Sequence, residues 1–281
     1  MVTRVVAVAN QKGGVGKTTT TVNVAAWLAD SGLNILVIDL DPQGNLTSTL
    51  GVARSAIDES SYELLVGDAT IADVTLREVR PGMDLIAARA DLAGAEVELA
   101  GLARKELQLR DAMTYQMGVY DLILIDCPPS LGLLTINALS AADHVIIPIQ
   151  CEYLALEGLM QMIQSIDLVR RRISPGLDVL GVVMTMFDAR TRLATDVVEN
   201  VRAHFSGHSF EAIIPRSVRL AEAPSYGQTI VEYAPDSSGA LAYRALAFEI
   251  AERLGLSDHT GQAGSLAGSR EIETVSTGNG I

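Results

Sequence analysis

Between residues 10 and 18 the chain reads Asn-Gln-Lys-Gly-Gly-Val-Gly-Lys-Thr, a stretch holding Lys12 and Lys17, two of only three lysines set against eighteen arginines. A chain that uses arginine for almost every other positive charge asks here for an ammonium, a compact point charge that reaches between phosphate oxygens where a planar guanidinium fork does not fit. Gly13, Gly14 and Gly16 let backbone N–H groups approach an anion with no Cβ in the way. Thr18 adds a hydroxyl suited to Mg²⁺. The pattern G-x-x-x-x-G-K-[ST] is met except at its first glycine, which falls on Gln11 beside Lys12. Two further sets of acids match this chemistry. Asp39 and Asp41 lie two apart at the end of an apolar run, a spacing that puts both on one side of a strand, and Pro42 ends the ladder behind them. Asp126 follows four aliphatic residues, the arrangement in which a strand-end aspartate organises Mg²⁺ through water.

Elements that position such groups are legible around them. Apolar runs at 2–9, 33–40, 83–88, 119–126, 143–149, 178–185 and 211–214 read as strands. Helical spacing fills 18–30, 91–117, 132–141, 152–172, 192–205 and 238–255. This alternation predicts an α/β fold: a single P-loop NTPase domain with a mainly parallel twisted sheet and helices on both faces. Ligands of such sheets sit at the carboxyl ends of the strands, where all three acid and lysine motifs fall. The domain is expected to span residues 1–255. From 256 to 281 the composition shifts to Gly, Ser and Thr with few large apolar groups, which predicts a disordered tail.

At 281 residues and 48% hydrophobic content the chain can bury a full core. No apolar run approaches eighteen residues and no basic-then-apolar leader precedes the first strand, so the expectation is a cytoplasmic protein without a membrane partner. Cys127 and Cys151 are too few for a disulfide framework or a four-thiolate site, and the four histidines lack ligand spacing. The net charge of −13 argues against a nucleic-acid partner until its distribution is read. Between Gln161 and Leu220 eight arginines face six acids, leaving −15 on the remainder, so one cationic face is expected on an acidic body.

The combination KGGVGKTTT at 12–20, DLDPQGN at 39–45, LILIDCPPSLG at 122–132, TMFDART at 185–191 and IIPRSVRLAEAPSYGQTI at 213–230 resembles the ParA/Soj family of partition ATPases. The resemblance implies a Mg-dependent ATPase, slow alone and stimulated by a ParB-like centromere-binding protein. It implies an ATP site made of Lys12, Gly13, Gly14, Val15, Gly16, Lys17, Thr18 and Thr19, with Met186, Phe187, Pro215 and Arg216 around the adenine. Lys17 would hold the β- and γ-phosphates, Lys12 would cross to the nucleotide of a second subunit, and Asp41 would orient the attacking water, making Lys12, Lys17 and Asp41 the catalytic set. Thr18 would bind Mg²⁺, with Asp39 and Asp126 organising its water shell. The family's ATP-bound homodimer binds double-stranded DNA without sequence preference, and Arg190 and Arg219 stand at the matching positions, so nucleoid association and a role in chromosome or plasmid partition are implied. A positioning switch for a protein cargo or a division inhibitor is the alternative within the same cycle.

Overall fold

The computed structural model describes residues 2–114, 118–153 and 155–256. Eight strands form one sheet: β1 (Arg4–Val8), β2 (Ile35–Asp39), β3 (Thr75–Arg80), β4 (Met83–Ile86), β5 (Leu122–Asp126), β6 (His144–Gln150), β7 (Asp178–Phe187) and β8 (Ser209–Pro215). Their order across the sheet is β3-β4-β2-β5-β1-β6-β7-β8, parallel throughout except for antiparallel β3 at one edge. Central strands are buried on both faces, which is why they read as unbroken aliphatic runs. Alternation then decides which face each residue serves. Val5 and Ala7 of β1, Leu36 and Ile38 of β2, and Ile123 and Ile125 of β5 enter one core. Val6 and Val8, Ile35 and Val37, and Leu122 and Leu124 enter the other.

The first core is covered by α3 (Ser61–Val66), α5 (Leu92–Ala100), α6 (Gln108–Met113), α7 (Leu133–Ala141), α8 (Ala155–Arg172) and α9 (Arg192–His204), with the short α4 (Ile71–Val74) at its margin. The second is covered by α1 (Lys17–Asp30), α2 (Asn45–Thr49), α11 (Ile230–Tyr233) and α12 (Ser238–Leu254), with α10 (Val218–Glu222) beside them. Among the described residues no helix is long and apolar enough to cross a membrane.

Every expected strand is present, and an eighth, β3, was not foreseen. Its charged residues Arg77, Glu78 and Arg80 hide the strand in the sequence, and an edge position lets them stay partly exposed. The single helix expected over 91–117 is two, because the chain turns at Gly101 and Arg104 takes a left-handed φ of 57° before α6 begins. The last residues of that expectation, 115–117, and residue 154 of the helix expected from 152, lie outside the described residues, as does the expected tail from residue 257 onward.

Candidate nucleotide site at the carboxyl edge of the sheet

The loop that follows β1 is braced from the strands beside it. Asn10 is buried; its amide donates to the Pro148 carbonyl at 2.7 Å while its side-chain oxygen accepts from Lys12 N at 2.9 Å. From β7 the buried Thr185 hydroxyl lies 2.8 Å from the Val15 carbonyl and 3.0 Å from that of Ile149. Gly14 and Gly16 hold φ of 74° and 91°, a backbone region in which a side chain is strained. Helix α1 starts at Lys17 with no side-chain cap on its first N–H groups. Those donors and the positive end of a 14-residue helix are presented to whatever enters the loop.

Lys17 is 7% exposed and its ammonium rests 3.2 Å from the Lys12 carbonyl. Burial lowers its pKa, an effect opposed by Asp126, Cys127 and Asp41. The Thr18 hydroxyl donates to Asp126 at 2.7 Å, and Thr21 lies 3.3 Å from its other oxygen. Register places Asp39 of β2 directly beside Asp126 of β5, and both are fully buried. Burial pushes the Asp126 carboxyl well above the usual carboxylate range, with Asp39 adding to it, and pushes Asp39 up to about 6. A cation close to two such acids would favour their charged forms.

The two strand-end acids of the 39–41 pair diverge. Asp41 lines the cleft, with one oxygen accepting from Gln43 N at 2.9 Å. Asp39 does not reach the cleft: one oxygen accepts from Asp41 N at 3.1 Å, the other from Thr47 N at 2.9 Å and the Thr47 hydroxyl at 2.7 Å. It fixes the start of α2 and the backbone of Asp41 from behind. Among the described residues no group of three or more His, Cys, Asp or Glu could by itself hold a metal, so Thr18 is the cleft-facing ligand of the expected set.

The cleft of about 400 Å³ is lined by Gly13, Gly14, Gly16, Lys17, Thr18, Thr19 and Asp41, with Pro129 and the α2 residues Asn45, Ser48 and Thr49. It opens past Gly16, Thr19, Met186 and Pro224 into a less polar hollow of about 330 Å³ at the ends of β7 and β8, bounded by Pro215, Arg216, Leu220 and Tyr243. A polar chamber leading to an apolar one has the shape of a triphosphate followed by a flat base. Met186 holds a left-handed φ of 52°, the strained backbone that recurs where a side chain is aimed into a site. Of the four expected base contacts Met186, Pro215 and Arg216 line the hollow; Phe187 turns the other way and packs against the first core. Alternation along β7 accounts for this, since neighbours on a strand face opposite sides. Val15 is buried, contributing its carbonyl to Thr185.

Lys12 does not line the cleft. Its side chain is 49% exposed, its ammonium lies 3.3 Å from Glu152, and it faces a separate groove along α8 beside Glu157 and Gln161. Arg190 and Arg219 follow the carboxyl ends of β7 and β8, with side chains 86% and 59% exposed. Each is paired locally. Arg190 forks onto Asp188 at 2.8 and 2.7 Å and holds that carboxyl well below its usual range. Arg219 donates to Glu222 at 3.0 Å and lies 6.0 Å above the Tyr233 ring. Arg192, not singled out in the sequence, is 94% exposed at the start of α9 and lies 4.0 Å from Asp196. Arg170 is tied to Asp178 at 2.6 Å and to the Leu177 carbonyl, as expected of a helix end.

Sequence reasoning also missed Thr185, Thr47 and the hollow-lining Leu220, Pro224 and Tyr243. Only the order of strands brings residues 15 and 185 together, and no local pattern signals it.

A glycine loop between β1 and α1, a buried lysine and a strand-end aspartate behind a threonine define a P-loop nucleoside triphosphatase. The family described as AAA domain matches residues 3–179. The sporulation initiation inhibitor protein Soj of Bacillus subtilis is 48% identical over 248 residues, covering 88% of this chain and 98% of that one. The chromosome partitioning protein ParA of Caulobacter vibrioides is 47% identical over 252 residues, covering 89% and 94%. A crystal structure of cobyrinic acid a,c-diamide synthase from Mycobacterium smegmatis, with bound ATP analog and magnesium, superposes with a TM-score of 0.76 at 40% identity, covering 88% of this chain and 93% of that one. The chain belongs to the ParA/Soj family of P-loop ATPases.

Proposed function

We propose that this protein is the ATPase of a chromosome or plasmid partition system, a switch that dimerises around two ATP molecules, holds DNA without sequence preference, and lets go when a ParB-type partner stimulates hydrolysis. The observation that carries the reading is the separation of the two loop lysines. Lys17 is buried at its own cleft, while Lys12 stands half-exposed on the lip and faces away from it. A lysine so placed serves a nucleotide presented by a second copy of the chain. Names of the relatives, a chromosome partitioning protein among them, support the same assignment.

Within the cleft the chain's own groups act by positioning and charge neutralisation, which is most of what phosphoryl transfer requires. Lys17 exchanges the Lys12 carbonyl for phosphate oxygens, recovering the desolvation that burial imposes on it. N–H groups of the loop and of α1 hold the remaining oxygens. Thr18, whose hydroxyl now donates to Asp126, would hold the magnesium ion, and Asp126 with Asp39 beside it would take their charged forms behind it. Magnesium, when bound, would supply positive charge against the charge developing on the transferring phosphoryl group. Asp41, fixed by Gln43 N and by the link from its own backbone to Asp39, accepts a hydrogen bond from the attacking water and orients it. Arg190, Arg192 and Arg219 contact DNA phosphates from the rim, giving salt-dependent affinity.

The test is retention on unrelated DNA duplexes with ATP, with ADP and with no nucleotide, at several salt concentrations. Retention is expected with ATP alone, at equal strength on each duplex and falling with salt. Equal retention in all three nucleotide states, or retention confined to one duplex, would sink the reading.

A further inference from the structure

The reaction outlined above makes no use of Arg80, the last residue of the unforeseen edge strand β3. Its side chain is only 23% exposed and spans two segments distant in sequence. One guanidinium nitrogen donates to the Gly227 carbonyl at 2.7 Å; the other donates to the carbonyl of its neighbour Val79 at 2.6 Å and also lies 3.4 Å from that of Leu50. Its Nε sits 2.6 Å from Glu232 as an ion pair rather than an aligned hydrogen bond. Beneath the fork the two segments touch backbone to backbone. Gly51 and Gly227 hold φ of 72° and 64°, and a Cβ on Gly227 would stand 2.9 Å from the Gly51 Cα.

Both segments lead to the nucleotide cleft. Just ahead of Leu50, α2 supplies Asn45, Ser48 and Thr49 to its wall, and just ahead of Gly227 the chain supplies Pro224 to the facing wall. The Gly51–Gly227 contact is therefore the point where the two walls meet, and Arg80 bolts it from the outside. A planar fork with donors on both ends suits two carbonyls at once; a single ammonium does not.

We propose that Arg80 is a positioning residue that sets the spacing of the two cleft walls and hence the affinity for the nucleotide. This rests on the assignment of the cleft to ATP. The wall acts alike on bound substrate and transition state, so its loosening raises KM while kcat is kept.

The test is binding of a fluorescent ATP analogue, with ATP titrations of hydrolysis, on the full chain. Arg80→Ala and Gly227→Ala are each expected to weaken binding and raise KM about tenfold, with kcat within about twofold. Arg80→Lys keeps a charge opposite Glu232 yet is not expected to rescue. Glu232→Gln, which leaves the fork and its carbonyls in place, should bind within about twofold of the parent. A folded Arg80→Ala chain with unchanged affinity overturns the proposal. If that chain does not fold, Arg80→Lys decides, and parental affinity in it overturns the proposal equally. A Glu232→Gln loss as large as that of Arg80→Ala would reassign the effect to the ion pair and overturn it too. A parent chain that binds no ATP defeats the nucleotide assignment itself, a different result from any of these.

Discussion

The glycine loop and the arginine rim lie on the same edge of the sheet and hold charge in opposite ways. At the loop, Lys17, Asp39 and Asp126 are buried, and burial shifts all three toward their neutral forms. At the rim, Arg190 and Arg219 stand in solvent, each beside its own acid. A buried charge is held at a cost to the fold that a matching ligand relieves, so it selects strongly among ligands. An exposed pair costs the fold little, binds weakly, and gains affinity only by summing over many phosphates. On the function proposed above, one region would discriminate nucleotide states and the other would bind DNA without regard to sequence.

The sharpest way to break this contrast is Lys17→Met, which keeps most of the unbranched side chain and removes its charge. ATP affinity should fall by about 100-fold or more, since the variant has no charge-assisted hydrogen bond to offer phosphate in a desolvated site. The melting temperature of the nucleotide-free protein should hold or rise, because a buried ammonium no longer has to be accommodated. Calorimetric titration and a thermal melt on the same preparation check both, and ATP affinity near that of the parent would remove Lys17 from the phosphate site.

Asp41→Ala comes next. Hydrolysis should drop by roughly 10²- to 10⁴-fold, the usual worth of a positioned acid or base, while ATP still binds. The variant should then accumulate as an ATP-bound dimer on size-exclusion chromatography. A variant that stays monomeric with ATP would dissolve the proposed split between dimerisation and hydrolysis.

The contrast also explains what the sequence made readable. Features carried by short local patterns could be read directly: the glycine spacing of 13, 14 and 16, the aliphatic strands ending in Asp39 and Asp126, and the alternation of strands with helices. The second part of the site is assembled across the sheet. Thr185 reaches the loop only because β7 lies two strands from β1, and Thr47 meets Asp39 only because α2 folds back over β2. The period-two reading of Asp39 and Asp41 went astray because Asp41 lies beyond the end of β2, where the ladder no longer governs direction. Phe187 was placed at the base with Met186 by the family resemblance, whereas strand alternation sends it to the opposite face. The edge strand β3 stayed hidden because an edge tolerates charge, and with it Arg80.

At the rim the expected effects are smallest in the fold and visible only in binding. Arg219→Glu should abolish ATP-dependent DNA retention and leave dimerisation intact, because it replaces a phosphate-binding cation with a like charge beside Glu222. Arg219→Ala gives the finer measure: removing one arginine from a phosphate lowers the slope of log affinity against log salt by roughly 0.9. Arg190→Ala should change that slope less. Its guanidinium is already matched by both oxygens of Asp188, so reaching DNA requires that fork to open, and part of the gain on phosphate is offset there. Asp188→Asn then has the opposite sign, freeing Arg190 and strengthening retention. Retention unchanged in Arg219→Glu at every salt concentration would take that residue off the DNA face, and weaker retention in Asp188→Asn would show that the pair, rather than the free arginine, is the form that meets DNA.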